Sequence, residues 1–171
     1  SGSTGTPKGV AIEHRNTVNF VTWAQSVFSK DVLADTLFST SLNFDLAIYE
    51  CLVPLVTGGA TRLVTTAFDL IRSPIKLTLI NTVPSVIKTL LDSHCIPPTT
   101  CAINLAGEAL KHEIVRRIFA TTNVASVCNL YGPSETTTYS TWVEFIRGAE
   151  TRPSIGRPIA NTQIYILDRY R

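Results

Sequence analysis

The sequence contains no methionine, few charged residues and no long hydrophobic run. Only 16% of its 171 residues are charged and the formal net charge is +2, so it lacks the basic stripe typical of nucleic-acid-binding proteins. No apolar run of about 18 residues and no signal-peptide pattern occur. We therefore expect a small-molecule ligand, and neither nucleic acid nor a membrane as partner.

The four cysteines lack the paired spacing of a zinc site or a redox pair. They lie far apart in apolar or irregular surroundings, as Cys51, Cys95, Cys101 and Cys128, without CxxC motifs or nearby histidines. The sequence therefore predicts buried free thiols in a reducing compartment, with the cytoplasm as the expected location.

Short apolar segments alternate with segments of helical periodicity. Strand-like composition occurs at residues 35–42, 61–64, 77–83, 101–106, 125–131, 140–146 and 162–168. Apolar residues recur at helical spacing in 16–28, 84–93 and 109–120. This alternation predicts an α/β fold, with a mostly parallel sheet flanked by helices and additional strands at the C-terminal end.

Four polar segments follow four of these predicted strands. They are NFD (43–45), NTVPS (81–85), AGEAL (106–110) and NLYGPSETT (129–137). Ligands of open α/β sheets bind beyond the carboxyl ends of the strands. A turn or a helix cap would explain any one segment, but four on one edge predict a common site.

Two of the loops suit a nucleotide and a metal ion. SGSTGTPKG supplies backbone N–H groups, hydroxyls and Lys8 for a polyphosphate, although its GxxGxxK spacing is not that of the Walker loop. In NLYGPSETT, Tyr131 offers a face for stacking a base, Gly132 begins a tight turn, and Ser134 and Glu135 add a hydroxyl and a carboxylate. A carboxylate beside phosphates favours Mg²⁺ between them.

Five segments carry a resemblance to a known family. In their order and separations, SGSTGTPKG, NFDLAIYE, NLAGEAL, NLYGPSETT and IGRPIANTQIYILD resemble the motifs of amino-acid-activating adenylation domains of nonribosomal peptide synthetases. The glycine-rich loop is shared by the wider adenylate-forming (AMP-binding) superfamily, whereas the next three segments point to its amino-acid branch. The resemblance covers essentially the whole chain.

The resemblance implies that ATP activates an amino acid to an aminoacyl adenylate, which is passed to the phosphopantetheine thiol of a peptidyl carrier protein beside a condensation domain. Thr4, Lys8, Ser134 and Glu135 would then be the catalytic residues, and Glu135 would hold Mg²⁺. Nucleotide binding would fall to Ser1, Gly2, Ser3, Thr4, Gly5, Lys8, Gly107, Glu108, Asn129, Tyr131, Gly132 and Ser134. Within this set, Tyr131 would stack on adenine, with Asn129 and the Gly107–Glu108 backbone at its edge.

The resemblance also implies an amino acid pocket. Asp45 would pair with the substrate ammonium group, although it also suits a cap for a helix over LAIYECL. The side-chain pocket would be lined by Leu46, Tyr49, Asn81, Asn104, Ala106, Leu130, Thr138 and Tyr139. Because this set is uncharged and contains two tyrosines, it predicts a small substrate. The set resembles pockets of this family that select alanine, and its first part resembles cysteine-selecting ones, so the resemblance implies alanine first, then glycine or cysteine, then serine.

The same resemblance predicts that residues 1–171 are a partial adenylation domain with no second domain. It would be a portion of the large N-terminal subdomain, without the C-terminal subdomain that bears a catalytic lysine, and poorly active or inactive alone. Two alternatives stay open: an acyl-CoA or aryl-acid ligase of the same superfamily, and a non-catalytic nucleotide-binding module. A P-loop kinase is disfavoured by the spacing of the glycine-rich loop.

Overall fold

The computed structural model describes residues 9–149 and 154–169. Its helices are α1 (His14–Val27), α2 (Leu46–Val56), α3 (Asp69–Arg72), α4 (Pro84–Asp92) and α5 (His112–Thr121), with a short 3-10 helix at Ser134–Thr136. Its strands are β1 (Asp35–Phe38), β2 (Ala60–Leu63), β3 (Leu79–Thr82), β4 (Ala102–Leu105), β5 (Ser126–Tyr131), β6 (Thr141–Ile146) and β7 (Arg157–Pro158).

The seven strands form one sheet in the order β2-β1-β3-β4-β5-β6-β7. The first five in this order run parallel, whereas β6 pairs with β5, and β7 with β6, in antiparallel orientation. The fold class predicted from the alternating pattern is therefore confirmed.

The strands separate two apolar clusters because successive side chains point to opposite faces of a sheet. On one face, Ile80 and Ile103 pack with residues of α4 and α5. On the other face, Leu79 and Ala102 pack with residues of α1 and α2. Near-continuous apolar strands are expected where helices cover both faces of a parallel sheet.

The helices begin near their predicted positions, with one instructive difference. Helix α4 starts at Pro84, whose missing N–H costs nothing in the first turn. Helix α5 begins at His112 rather than at Ala109, because Gly107 has a positive φ of 79° and Lys111 is still extended. Within the described ranges, no helix is both long and apolar enough to span a membrane.

The strand predicted at 162–168 is wrong. These residues adopt no strand, and the side chains of Ile164, Tyr165, Ile166 and Leu167 are exposed. An apolar run forms a strand only where a neighbouring strand satisfies its backbone groups. In the described part of the chain the last strand is β7, a two-residue edge strand that ends in Pro158, where the missing N–H is tolerated.

Candidate nucleotide and amino acid site

The four polar segments predicted to share an edge follow β1, β3, β4 and β5, whose carboxyl ends lie together because these strands are parallel. Hydrogen bonds join the segments in pairs. Thr138, the residue directly after the fourth segment, donates its hydroxyl to the Asp45 carbonyl in the first segment at 3.2 Å. Ser85 donates its backbone N–H and its hydroxyl to the Glu108 carboxylate, at 2.9 and 2.6 Å. The Glu108 side chain thus fastens the β4–α5 loop to the first turn of α4.

Two buried tyrosine–asparagine pairs lie beside this edge. Asn81 and Asn104 are register neighbours on β3 and β4. The Tyr139 hydroxyl donates to Asn81 Oδ1 at 3.0 Å, and Asn104 Nδ2 donates to the Tyr49 hydroxyl at 3.0 Å. The two tyrosine rings lie 5.8 Å apart between centroids. Together the pairs form a neutral, space-filling group at the end of the sheet.

Each asparagine keeps one buried polar atom without a described partner. These atoms are Asn81 Nδ2, a donor, and Asn104 Oδ1, an acceptor. A buried polar group without a partner is costly. One buried donor and one buried acceptor on neighbouring strands thus remain without a partner among the described residues.

The remaining residues predicted for the pocket lie around the tyrosines. Ala106 and Leu130 belong to the same buried cluster as Tyr49 and Tyr139, and Leu46 packs against it. Thr138 is 4% exposed and adopts a left-handed φ of 66°. The structure thus brings all the uncharged residues of the predicted pocket into one region.

Asp45 occupies the N-cap position of α2 but does not cap it. Its side chain makes no capping hydrogen bond, and its helical φ and ψ differ from the extended backbone of an ordinary cap. Among the described residues, the half-buried carboxylate forms no salt bridge. The capping interpretation therefore leaves the Asp45 carboxylate unexplained.

An open cavity of about 530 Å³ adjoins this region. Its lining includes five residues predicted for the nucleotide, namely Gly107, Glu108, Asn129, Tyr131 and Gly132. Tyr131 is 52% exposed, so its ring is available for stacking. Ser154 and Ile155 also line the cavity, and Asn129 Nδ2 donates to the Ser154 carbonyl at 2.6 Å.

The 3-10 helix that carries Ser134 and Glu135 begins directly after Pro133, which lines this cavity. Both residues are exposed. The described residues contain no cluster of three or more His, Cys, Asp or Glu side chains that could hold a metal ion. Glu135 alone still suits Mg²⁺, which keeps several waters and is commonly held by one or two carboxylates together with substrate phosphates. Ser1, Gly2, Ser3, Thr4, Gly5 and Lys8 lie outside the described residues.

Comparison with known proteins identifies the family. The family described as AMP-binding enzyme matches residues 1–171. The chain belongs to this family. It is 50% identical over 170 residues to one of the linear gramicidin synthase proteins of Brevibacillus parabrevis, a match that covers 98% of this chain and 3% of that protein. It is 42% identical to the AMB antimetabolite synthetase AmbB of Pseudomonas aeruginosa, over 99% of this chain and 14% of that protein.

Two solved structures resemble this AMP-binding chain closely. The Vibrio cholerae adenylation domain AlmE, in complex with glycyl-adenosine-5'-phosphate, matches with a TM-score of 0.79 and 26% identity, covering 92% of this chain and 32% of that one. The four-domain nonribosomal peptide synthetase AB3403, bound to AMP and glycine, matches with a TM-score of 0.80 and 28% identity, covering 98% and 13%. The resemblance to adenylation domains of nonribosomal peptide synthetases is thus confirmed, and the chain spans only a small part of these relatives.

Several residues that shape the site of this AMP-binding chain were not predicted from its sequence. Phe20 packs against both pocket tyrosines, Ser154 and Ile155 line the cavity, and Glu50 is completely buried. Glu50 had a readable signal, because it is the one acidic residue in the otherwise apolar α2 segment LAIYECLVPLV. The sequence contains no comparable signal for Phe20, Ser154 or Ile155.

Glu50 fastens the loop between β1 and Asp45. Its carboxylate accepts hydrogen bonds from the backbone N–H groups of Ser39 and Thr40, at 3.1 and 2.9 Å, and from the Thr40 hydroxyl at 3.0 Å. Burial raises the pKa of Glu50 from 4.5 to about 7, because it outweighs the hydrogen bonds from Thr40 and Ser39, which lower the pKa. Glu50 therefore titrates near neutral pH.

We expect Glu50 to make stability depend on pH in a defined direction. Between its ordinary pKa of 4.5 and about 7, the folded protein retains a proton that the unfolded chain has released, so the free energy of unfolding falls as the pH rises. The fall is at most about 3 kcal/mol, since one pKa unit corresponds to about 1.4 kcal/mol. Glu50→Gln cannot titrate. In urea unfolding of both proteins from about pH 5 to about pH 8, the advantage of the wild type over Glu50→Gln should shrink as the pH rises; a constant difference would contradict this.

Proposed function

We propose that the chain activates a small amino acid with ATP, releasing pyrophosphate and forming an aminoacyl adenylate. A carboxylate oxygen of the amino acid would attack the α-phosphorus, and pyrophosphate would leave with the electrons of the broken P–O bond. The observation that carries the proposal is the half-buried Asp45 carboxylate, which forms no described salt bridge and whose backbone is joined through Thr138 to the segment that carries Tyr139. The glycyl-adenosine-5'-phosphate bound to AlmE, and the AMP and glycine bound to AB3403, support the same chemistry.

Asp45 is proposed to bind the substrate's α-ammonium group. A carboxylate removed from water is costly unless a cation accompanies it, and an ammonium group supplies both charge and hydrogen-bond donors. The Thr138 hydroxyl holds the Asp45 carbonyl at 3.2 Å and so fixes the position of the anchor relative to the pocket. The reacting carboxylate would then face the cavity.

The pocket is proposed to prefer alanine, followed by glycine or cysteine. Tyr49 and Tyr139 fill the buried space, so a large side chain would have to displace a packed ring. The pocket residues carry no charge, and a charged side chain would remain unpaired. Discrimination against one extra methylene amounts to only about 1–3 kcal/mol, so activity with neighbouring substrates is expected.

The nucleotide is proposed to occupy the 530 Å³ cavity, with adenine on Tyr131 and its edge near Asn129 and the Gly107–Glu108 backbone. The phosphates are proposed to be bound by Ser134 and by the predicted phosphate-binding residues Ser1, Gly2, Ser3, Thr4, Gly5 and Lys8. A phosphoryl-centre displacement depends mainly on positioning and on neutralising charge. Glu135 would hold Mg²⁺, which neutralises charge on the phosphates when bound.

The similarity to peptide synthetases also supports a second step, in which an acceptor molecule takes the aminoacyl group from the adenylate. We propose that the adenylate is transferred to the phosphopantetheine thiol of a peptidyl carrier protein, within a longer protein that also holds a condensation domain. Thiol attack at the acyl carbon would release AMP. The alternative from the same superfamily, a ligase for simple carboxylic acids, would have no ammonium group for Asp45 to bind.

ATP–pyrophosphate exchange with the full-length protein tests the proposal. Alanine, glycine, cysteine and serine would be compared with valine, phenylalanine, lysine, glutamate and a set of aryl and fatty acids. We expect the fastest exchange with alanine. Exchange only with carboxylic acids that lack an amino group would favour the acyl or aryl ligase, and ATP binding without exchange would favour a non-catalytic module.

A further inference from the structure

Phe20 on helix α1 contacts both pocket tyrosines from outside the predicted pocket. It is 1% exposed. Its ring centroid lies 5.7 Å from that of Tyr139, in an edge arrangement, and 5.9 Å from that of Tyr49. Because the tyrosine rings are themselves 5.8 Å apart, the three rings form a nearly equilateral cluster, here called the ring triangle.

The two tyrosines are held differently at their two ends. Each tyrosine hydroxyl forms a hydrogen bond of 3.0 Å with an asparagine side chain of the sheet. The ring bodies are positioned by packing, and Phe20 is the member of the ring triangle that has no polar side-chain atom to restrain it. A change in its volume therefore acts on the position of both rings at once.

We propose that Phe20 determines substrate size by positioning Tyr49 and Tyr139, although it does not itself contact the substrate. This inference rests on the proposed amino acid pocket. Phe20 fills the space into which the two rings would otherwise retreat. A smaller residue there leaves a cavity that the surroundings fill only in part, and retreat of the tyrosines would enlarge the pocket for a longer aliphatic side chain.

Trp23 provides a matched control within the same helix and the same aromatic cluster. It is 3% exposed and packs on Phe20, Phe28 and Trp142, at centroid distances of 5.9, 6.2 and 6.0 Å. Its aromatic contacts among the described residues do not include Tyr49 or Tyr139. Trp23→Phe thus removes buried volume near Phe20 and leaves in place the described ring contacts of both tyrosines with Phe20 and with each other, and that of Tyr49 with Phe28.

The experiment compares wild type, Phe20→Leu, Phe20→Ala and Trp23→Phe in the full-length protein, using ATP–pyrophosphate exchange with alanine and with valine. The readout is the ratio of kcat/KM for valine to kcat/KM for alanine, which a uniform loss of folded protein does not change. For Phe20→Leu we expect this ratio to rise about tenfold, near the lower end of the discrimination expected of a small apolar difference. If the Phe20→Ala variant folds, it should raise this ratio further. If it does not fold, Phe20→Leu alone tests the inference.

The outcomes separate this inference from the proposed function. If the wild type exchanges with alanine and both Phe20 variants keep its ratio, or if Trp23→Phe raises the ratio equally, Phe20 serves only general packing and the inference is overturned. If the wild type exchanges with no amino acid, the proposed function fails and this inference fails with it. A raised ratio in the Phe20 variants alone, carried mainly by a lower KM for valine, supports it.

Discussion

Asp45→Ala is expected to weaken amino acid activation about 30-fold or more while ATP still binds. Truncating one partner of a desolvated, hydrogen-bonded charge pair costs about 2–5 kcal/mol, which corresponds to a loss of about 30-fold or more in kcat/KM for the amino acid. Asp45 is half-buried, so the lower part of this range applies. Exchange kinetics would measure the loss, and calorimetric titration with ATP would measure the retained nucleotide affinity.

Stability measurements separate this effect from helix capping. The Asp45 side chain makes no capping hydrogen bond, and the carbonyl that accepts from Thr138 remains in the variant. We therefore expect the free energy of unfolding to fall by no more than about 0.5 kcal/mol, because no capping hydrogen bond or described salt bridge of Asp45 is lost. Asp31, which is exposed, offers a control as Asp31→Ala. A large loss of stability, or an equal loss of ATP affinity, would contradict the assignment.

The sheet was predictable because its strands are buried on both faces. Short apolar runs bounded by turns and separated by helical patterns identified β1 to β6, and parallel order followed from the alternation. The same reasoning placed the polar segments after β1, β3, β4 and β5 on one edge. Pro84 marked the start of α4, because proline is favoured in the first turn of a helix.

The details of the site depend on relations between distant residues, which periodicity does not contain. The hydrogen bonds from Tyr139 to Asn81 and from Asn104 to Tyr49 join positions 58 and 55 residues apart. Phe20 belongs to the ring triangle because α1 packs on the face of the sheet that holds the tyrosines. Periodicity predicts that a residue is buried but does not predict its partner. The error at 162–168 has the same origin, since an apolar run does not reveal whether a neighbouring strand is present.

Gly156 shows how such a distant relation shapes the cavity. Its φ is +78°, and a Cβ atom there would overlap the Trp142 carbonyl oxygen and lie 2.8 Å from Val143 Cβ. The neighbouring residues Ser154 and Ile155 line the 530 Å³ cavity. We therefore expect Gly156→Ala to push the 154–157 segment away from β6, to break the Asn129–Ser154 hydrogen bond and to weaken ATP binding at least about tenfold, because backbone atoms cannot yield as a flexible side chain does.

Gly148→Ala is the matched control, because Gly148 also has a positive φ, of +85°, but no atom lies within 4 Å of its added Cβ. Both variants carry the conformational cost of a left-handed alanine, about 1–2 kcal/mol, and only Gly156→Ala adds the collision with β6. Chemical unfolding and ATP titration of both variants in the full-length protein would separate the two costs. Equal effects on stability and on ATP affinity would show that backbone conformation alone selects glycine at position 156. A larger loss of both in Gly156→Ala would show that close packing against β6 is what keeps this wall of the cavity in place.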